Sequence, residues 1–495
     1  MKKLTVILLI LALCLGTLCG CGDIEIGSAP APAPSSGGSI EIAANDEPKG
    51  AVITLTGSGA DIDGSGVSVS GSTVTIASPG SYTVSGTLTN GCIVVDTGEV
   101  KGDVTLTLKG ADITCLDGAA IHVIQAKNFD LVLERDTHNR LVSGSKDTAD
   151  GLKQDGAALF CEDDLDILGG GELEVLGYLN NGITCKDDLD IKDGTITVTA
   201  VNNGIRGSES VEIFSGTIRV TAGNDGIKTS SAKKEGKGFI SIEGGTLDIK
   251  ADGDGIAAET ELTVSGGEIR VKTSGDVIGV SCKALKAKTA LTISGGRLEL
   301  DSEDHALHSA GDILISDGTI RVNSRDGRGV SAHGTLEIRG GVIDVNSTDD
   351  GIESQKEILI SGGEIGVFSG EDGLKAGDKN TEGGSIAISG GSIVVNAYGD
   401  PIDAKSGAVI SGGEFIGVGT SKTIKSFSPE STQRSLAFRF SGGAGTSAQV
   451  VSGSGEEIGT IEARCGYTCA IFSVPGLESG SYKLVMGTLS ASASA

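Results

Sequence analysis

Tryptophan is absent from this chain of 495 residues, and aromatic residues of all kinds make up 3% of it. Neutral sugars are usually held on aromatic platforms, so a binding face built mainly on ring stacking is disfavoured. Proline is scarce, at 8 residues, which leaves β-strands uninterrupted. Positive charge is in deficit, with 39 Lys and Arg against 66 Asp and Glu and a net charge of −27. A surface this acidic excludes nucleic acid or an anionic membrane surface as a direct partner. It permits cation binding, although solubility is the plainer meaning of the charge. No amphipathic helical periodicity runs through the central region. The five histidines (His122, His138, His305, His308 and His333) are scattered, and no metal-ligand pattern extends from the close pair His305 and His308. Neither a Ser/His/Asp arrangement nor a phosphate-binding glycine loop stands out.

Glycine, by contrast, is abundant at 79 residues, and it keeps time. NNGITCKDDLDIKDGTITVTAV from Asn180 is followed by NNGIRGSESVEIFSGTIRVTAG from Asn202 and by NDGIKTS from Asn224. Gly182, Gly204 and Gly226 are 22 residues apart. Gly-rich turns recur at Gly194, Gly216, Gly245, Gly267, Gly296, Gly318, Gly341, Gly363, Gly391 and Gly413. Most steps are 22 or 23 residues; three are 28 or 29, lengthened by segments that include KKEGKG from Lys233, SCKALKAK from Ser281 and GDKNTEGG from Gly377. A fixed period of this size means a solenoid, and such insertions map to surface loops. Two or three short Val/Ile/Thr-rich runs per period predict an all-β fold, a parallel β-helix, right-handed by the usual crossover preference. Leu189, Ile191, Ile196 and Val198, then Val211, Ile213, Ile218 and Val220, are expected to point inward and stack.

The chain divides accordingly. Residues 1–20 read as a signal peptide: a Lys-Lys start, then an apolar run too short to be assigned as a membrane span. Leu18-Cys19-Gly20-Cys21 looks like a bacterial lipobox, with Cys21 as the lipidated residue. Residues 21–48 form a Pro/Ala/Ser-rich tether. Residues 49–156 make the N-terminal cap and first coils, 157–425 the regular helix, and 426–495 a β-rich C-terminal segment of hairpins that could cover its open end. The expectation is an exported, lipid-anchored monomer on the cell surface. Of ten cysteines, seven remain beyond the signal and lipid site. Cys161 with Cys185, and Cys465 with Cys469, are candidate pairs, the first equally well read as two buried thiols in a column.

Stacking turns single residues into columns. An acid or amide precedes glycine at Asn181, Asn203, Asp225, Asp254, Asp350 and Asp372, with Asp276 and Asp400 placed at the matching step. Turn chemistry accounts for Asn-Gly and Asp-Gly, since both residues tolerate left-handed backbone. Carboxylates stacked at about 4.8 Å repel by roughly 1 kcal/mol in water and several-fold more when half-buried. Keeping Asp there points to cations, and hard oxygen donors at flexible spacing suit Ca²⁺. Glu162-Asp163-Asp164 and Lys186-Asp187-Asp188, with Glu209 after them, form a second acidic repeat that could converge on one ion or remain a solvated turn. Arg206 and Lys228 follow the turn in consecutive coils, as Lys375 does later. They could hold a uronate carboxylate or abstract the adjacent proton; simple charge balance is the competing reading.

ALFCEDDL, NNGITCKDDLDI, NNGIRGSESVEI, GNDGIK and GDGIAAETELTVSGG resemble the Ca²⁺-bound, polygalacturonate- and cellulose-binding β-helix proteins of bacterial surfaces. GSTVTIASPGSYTVSGTLTNGCIVVD resembles that family's opening segment. The resemblance spans roughly residues 50 to 425. It implies a right-handed parallel β-helix similar to calcium-dependent pectate lyases, and carbohydrate binding without expected lyase activity. By matching motif it places family acids on Asp187, Asp188, Asp225 and Asp254. Cys185 stands where Ser is more usual, Glu162 replaces Lys in the preceding copy, and the coils at Asp276 and Asp304 drift from the pattern. The expected ligand set for Ca²⁺ is Asp163, Asp164, Asp187, Asp188, Asp225 and Asp254. Lys186, Arg206 and Lys228 are expected to contact an acidic polysaccharide. The alternatives are a lyase using Lys228, Arg206 or Lys186 as base, and a surface spacer or adhesin with no glycan ligand.

Overall fold

A computed structural model describes residues 49–100, 102–145, 156–275, 279, 281–378 and 382–495. The signal peptide, the tether, Cys21 and Asp276 lie outside the described residues. Every regular element among the described residues is a strand. One coil consists of Ile205–Gly207, Ser210–Ile213 and Thr217–Ala222. The next consists of Ile227–Thr229, Phe239–Ile242 and Thr246–Ala251. Each strand pairs in parallel with its equivalent one coil on, giving three ladders, here called first, second and third in chain order. The first ladder is a 15-stranded sheet. The second and third are joined by one long strand, Val104–Cys115, which pairs with Phe129–Leu133 on one side of a corner and His138–Ser143 on the other. The fold is a parallel β-helix.

Side-chain alternation decides what faces inward. Leu189, Ile191, Ile196 and Val198 are 1% exposed or less, and Val211, Ile213, Ile218 and Val220 2% or less. Ile196 stacks on Ile218, Leu247 and Ile269 in register, so the apolar interior continues from coil to coil as columns. Burying a side chain of this size contributes roughly 1.5–3 kcal/mol, and each coil repeats the gain only because a neighbour covers it.

The two glycine columns have different causes. Gly194, Gly216, Gly245 and the later Gly-rich turns all have positive φ, between 80° and 114°. There the left-handed backbone requires glycine. Gly182, Gly204 and Gly226 do not have positive φ, and neither do the Asn and Asp residues before them. Turn chemistry is therefore not their reason. These glycines face the core: a Cβ on Gly204 would lie 2.2 Å from Val220 Cγ1 and 2.7 Å from the Gly226 carbonyl oxygen. The column is glycine because the opposite wall leaves no room for a methyl group.

Both ends leave the parallel pattern. Lys49–Gly57 pairs antiparallel with Ala60–Gly64, and Val67–Ser70 with Thr73–Ile76, while Lys49–Gly57 and Thr73–Ile76 also begin parallel pairing with Gly80–Leu88 and Cys92–Asp96. At the other end Glu414–Gly419 pairs antiparallel with Tyr467–Ser473, which also takes Leu436–Gly442. A separate four-stranded antiparallel sheet follows, and a second apolar cluster around Phe438, Phe472 and Leu484 lies beside it. The last coil is thus paired rather than open.

All seven described cysteines are free thiols. Cys161 and Cys185 are register partners, and both S–H groups donate to the Asp163 carbonyl, at 3.1 and 3.0 Å. Cys465 donates to the Ala397 carbonyl and Cys469 to that of Gly419, so these two serve different coils.

Gly204→Ala should lower unfolding stability by roughly 1–3 kcal/mol, the usual cost of overpacking a core. Gly443→Ala, where a Cβ meets nothing within 4 Å, should change it by less than about 0.5 kcal/mol. Denaturant titration of both variants checks the contrast; equal effects would contradict the steric account.

Candidate functional site

The predicted ligands fall at the two ends of the first-ladder strands. Asp225 and Asp254 precede the strand, whereas the acidic turn with Asp163, Asp164, Asp187 and Asp188 follows it. Arg206 and Lys228 are register partners on the outer face between them.

The column before the strand is a hydrogen-bond ladder. Each side chain accepts the main-chain N–H of its equivalent one coil on: Asn203 to Asn181 at 3.1 Å, Asp254 to Asp225 at 2.9 Å, Lys283 to Asp254 at 2.9 Å. Asp372 to Asp350 and Asp400 to Asp372 continue it at 3.0 and 2.8 Å. Asp225, Asp254 and Asp350 are buried, at 7%, 3% and 0% exposed, and an unmet N–H in such a place costs about 1–3 kcal/mol. An acceptor at this position is therefore structural. Where the acceptor is a carboxylate, lysines supply the counter-charge: Lys228 on Asp225 at 2.6 Å, Lys286 on Asp254 at 2.7 Å, Lys375 on Asp350 at 2.8 Å and Lys425 on Asp400 at 2.9 Å. The register also corrects the reading of the drifting coils. Ile256 pairs with Leu285 and Leu285 with Leu307, which puts Lys283 and His305 in the column, the latter rather than Asp304.

The acidic turn behaves differently. Asp163 turns away and accepts the Ala126 N–H at 2.8 Å. Asp164, Asp187 and Asp188 converge, each with a carboxylate oxygen within 4.8 Å of the others. The insertion after Lys233 reaches over them: Lys237 pairs with Asp188, and Lys234 with Glu209 and, at 3.7 Å, with Asp187. Even so, carboxylates remain in excess. Burial, then the hydrogen bond and charge of Glu209, push Asp187 up to about 6. Burial, with the charge of Asp188, also raises Asp164. On Glu209 burial is outweighed by hydrogen bonds with Lys234 and Asp187, which hold it below the usual range.

Sequence reasoning missed a neighbouring row. Asp130, Asp166, Asp190 and Glu212 are register partners on the outer face of the second ladder. With Asp164, Asp188 and Lys192 the last three line a groove of about 330 Å³. Burial, then Asp166 and Glu212, push Asp190 up to about 6. The signal was present in LDI, LDI and VEI, where one acid lies between two inward residues in successive coils. The third ladder shows how unusual such a row is. There Arg219, Asp248, Arg270, Glu299, Arg321 and Asp344 stack with alternating sign, and Arg270 meets Glu299 at 3.2 Å.

The base candidates are engaged. Lys228 is held by Asp225, Arg206 donates to Ser230 Oγ at 3.2 and 3.1 Å, and the Lys186 ammonium lies 5.4 Å from the Phe160 ring centroid. Among the described residues two further groups of acids gather, Asp349 with Asp350 and Glu371, and Asp372 with Asp400 and Asp403. The histidines are less scattered than their spacing implies: His305, His308 and His333 adjoin, with ring centroids 5.5 and 5.3 Å apart. Burial, reinforced by neighbouring cations, draws His308 down to about 3, so it is neutral at pH 7.

The sequence model of a family described as carbohydrate-binding domain-containing proteins matches residues 70–327 and 316–460. A carbohydrate-binding domain-containing protein of Acetivibrio thermocellus is 36% identical over 131 residues, 26% of this chain and 45% of that relative. The chain thus spans less than half the length of this relative. The solved structure of a polysaccharide lyase-like protein from C. thermocellum, a gadolinium derivative, has 34% sequence identity and a TM-score of 0.45, covering 49% of this chain and 96% of its own. With the family model covering most of the β-helix, the chain belongs to the carbohydrate-binding domain-containing protein family.

Proposed function

We propose that this protein binds an acidic polysaccharide, polygalacturonate in the first instance, through Ca²⁺ held at the acidic turn, and does not cleave it. The observation that carries this reading is the convergence of Asp164, Asp187 and Asp188 beside a same-signed row. Three carboxylates offer hard oxygen donors, and those raised by burial and crowding gain most from a cation. Asp164, Asp187 and Asp188 would hold the ion, with Lys234 and Lys237 giving way. When bound, Ca²⁺ supplies the positive charge that lets a polyanion approach an acidic protein. Asp225 and Asp254 serve the ladder instead, each with one oxygen on a main-chain N–H and the other on a lysine.

Arg206 and Lys228 lie in the outer row between the two acidic columns and offer cationic contacts to uronate groups. Lys228 is ion-paired with Asp225 and so is not placed as a free base, which favours binding over elimination. Export and lipid attachment at Cys21 complete the proposal and place the β-helix at the cell surface.

A second reading, for a neutral polymer such as cellulose, is favoured by one patch. Tyr398 is 52% exposed and lies 6.0 Å from Phe368, over which Arg464 is placed at 4.2 Å. The rows here carry Asn346, Phe368 and Asn396 rather than charges.

Polygalacturonate retention should vanish in chelator and return with Ca²⁺, with no rise in unsaturated-product absorbance. Asp188→Asn should weaken the Ca²⁺-dependent part about tenfold, or ~1.4 kcal/mol. Retention unchanged by chelator would sink the mechanism. Tyr398→Ala should reduce binding to cellulose and leave polygalacturonate binding intact; pull-down on the two polymers separates the readings.

Stability should follow pH in a specific direction. Asp187 and Asp190 keep their protons to about pH 6 in the folded chain, whereas unfolded carboxyls lose them near 4. The folded state therefore binds more protons between these values, and metal-free stability should fall as pH rises from about 4 to 6. Melting temperatures in chelator should be lower at pH 7 than at pH 5, and Ca²⁺ should narrow the gap.

A further inference from the structure

Five of the seven described cysteines are buried; Cys92 and Cys115 are the two that are partly exposed, and they touch each other. Cys92 opens the strand Cys92–Asp96 and Cys115 closes Val104–Cys115. Main-chain contacts clamp the two segments side by side: the Gly91 N–H donates to the Thr114 carbonyl at 2.9 Å, and the Leu116 N–H to Asn90 Oδ1 at 3.1 Å. The Cys92 thiol donates to the Thr73 hydroxyl at 3.9 Å, and the Cys115 thiol is its neighbour on the adjoining segment. Cys161 and Cys185 also adjoin, but both are 0% exposed and occupied by the Asp163 carbonyl. Contact alone is thus not what distinguishes the first pair. It combines contact with access to solvent.

We propose that Cys92 and Cys115 are a disulfide-forming site that reacts by exchange with a small-molecule disulfide of the glutathione class. The Cys92 thiolate attacks one sulfur of the external disulfide. That S–S bond breaks, a mixed disulfide forms on Cys92, and the first thiolate leaves and takes up a proton. Cys115 then loses its proton and attacks the Cys92 sulfur, and the second external thiolate leaves. Two protein thiols are oxidised and one external disulfide is reduced to two thiols. The order of attack follows from the environment. Hydrogen-bond contacts with Cys115 and, after the opposing effect of burial, with Thr73 draw Cys92 down to about 6. The same Cys92–Cys115 contact and burial hold Cys115 above the usual thiol range. Cys92, whose proton affinity is lowered, is the attacking sulfur, and Cys115, whose proton affinity is raised, resolves the adduct. The closed bond would tie the end of one coil's third-ladder strand to the start of a first-ladder strand, near the N-terminal end of the β-helix.

Folded full-length protein is treated with oxidised glutathione at pH 7, quenched in acid, alkylated with iodoacetamide in denaturant and mapped by mass spectrometry. A peptide pair joined through Cys92 and Cys115, lost on treatment with dithiothreitol, is the expected result, with Cys161 and Cys185 recovered alkylated. Cys115→Ser should accumulate a glutathione adduct on Cys92, and Cys92→Ser should leave Cys115 largely unmodified. Recovery of both wild-type thiols alkylated, or as stable glutathione adducts, would overturn the proposal. So would cross-linking that appears only after the chain is unfolded.

Discussion

Parallel pairing in register, one coil directly over the next at about 4.8 Å, is the constraint from which the other properties follow. It places Ile on Ile and Gly on Gly, and it places charge on charge with equal strictness. An apolar column gains from this, because each side chain covers the one beneath. A charged column gains only if its signs alternate, as they do from Arg219 to Asp344 in the third ladder. A same-signed row such as Asp130, Asp166, Asp190 and Glu212 is held together against its own repulsion by the backbone and core behind it, and by Lys192, which pairs with Asp166 and Asp190.

At the acidic turn the chain relieves like-charge repulsion from outside the repeat. The turn following Asp187 and Asp188 is covered by Lys234 and Lys237, carried on an insertion that interrupts the period. The column headed by Asp225 receives its lysines from within the repeat, one row over. Two acidic columns at opposite ends of the same short strands thus have opposite status. In one, the carboxylates accept main-chain N–H groups of the following coil; in the other, burial and then neighbouring acids raise the proton affinity of Asp187 and Asp164.

The period, the inward residues and the positive-φ glycine turns were all legible in the sequence, since each depends only on spacing within a coil. Four things were not. The insertion before Leu285 breaks the count, so the column position passes to Lys283 while the motif eye follows Asp276. Ion pairs between distant residues, such as Lys237 with Asp188 49 positions earlier, follow from loop geometry rather than from pattern. Asn-Gly and Asp-Gly look like turn signals, yet Gly204 is fixed by Val220 across the interior, a contact that no local rule reports. Cys92 and Cys115 belong to different ladders, and only the folded corner between Gly91 and Leu116 brings them together.

The acceptor ladder has a direction. Asp225 serves the N–H of Asp254, and Asp254 serves that of Lys283, but Lys283 has no acceptor to pass on. The following coil makes good the loss locally: the His305 N–H turns to Asp304 Oδ1 at 2.7 Å. Each side chain in this column therefore protects the coil after its own, and its loss is felt by a neighbour whose sequence is unchanged. Inheritance in such a chain is offset by one step. A copied or deleted coil brings its own donor but depends on the acceptor of whatever precedes it, so the coil that can be exchanged is bounded not by the visible repeat but by a frame shifted against it.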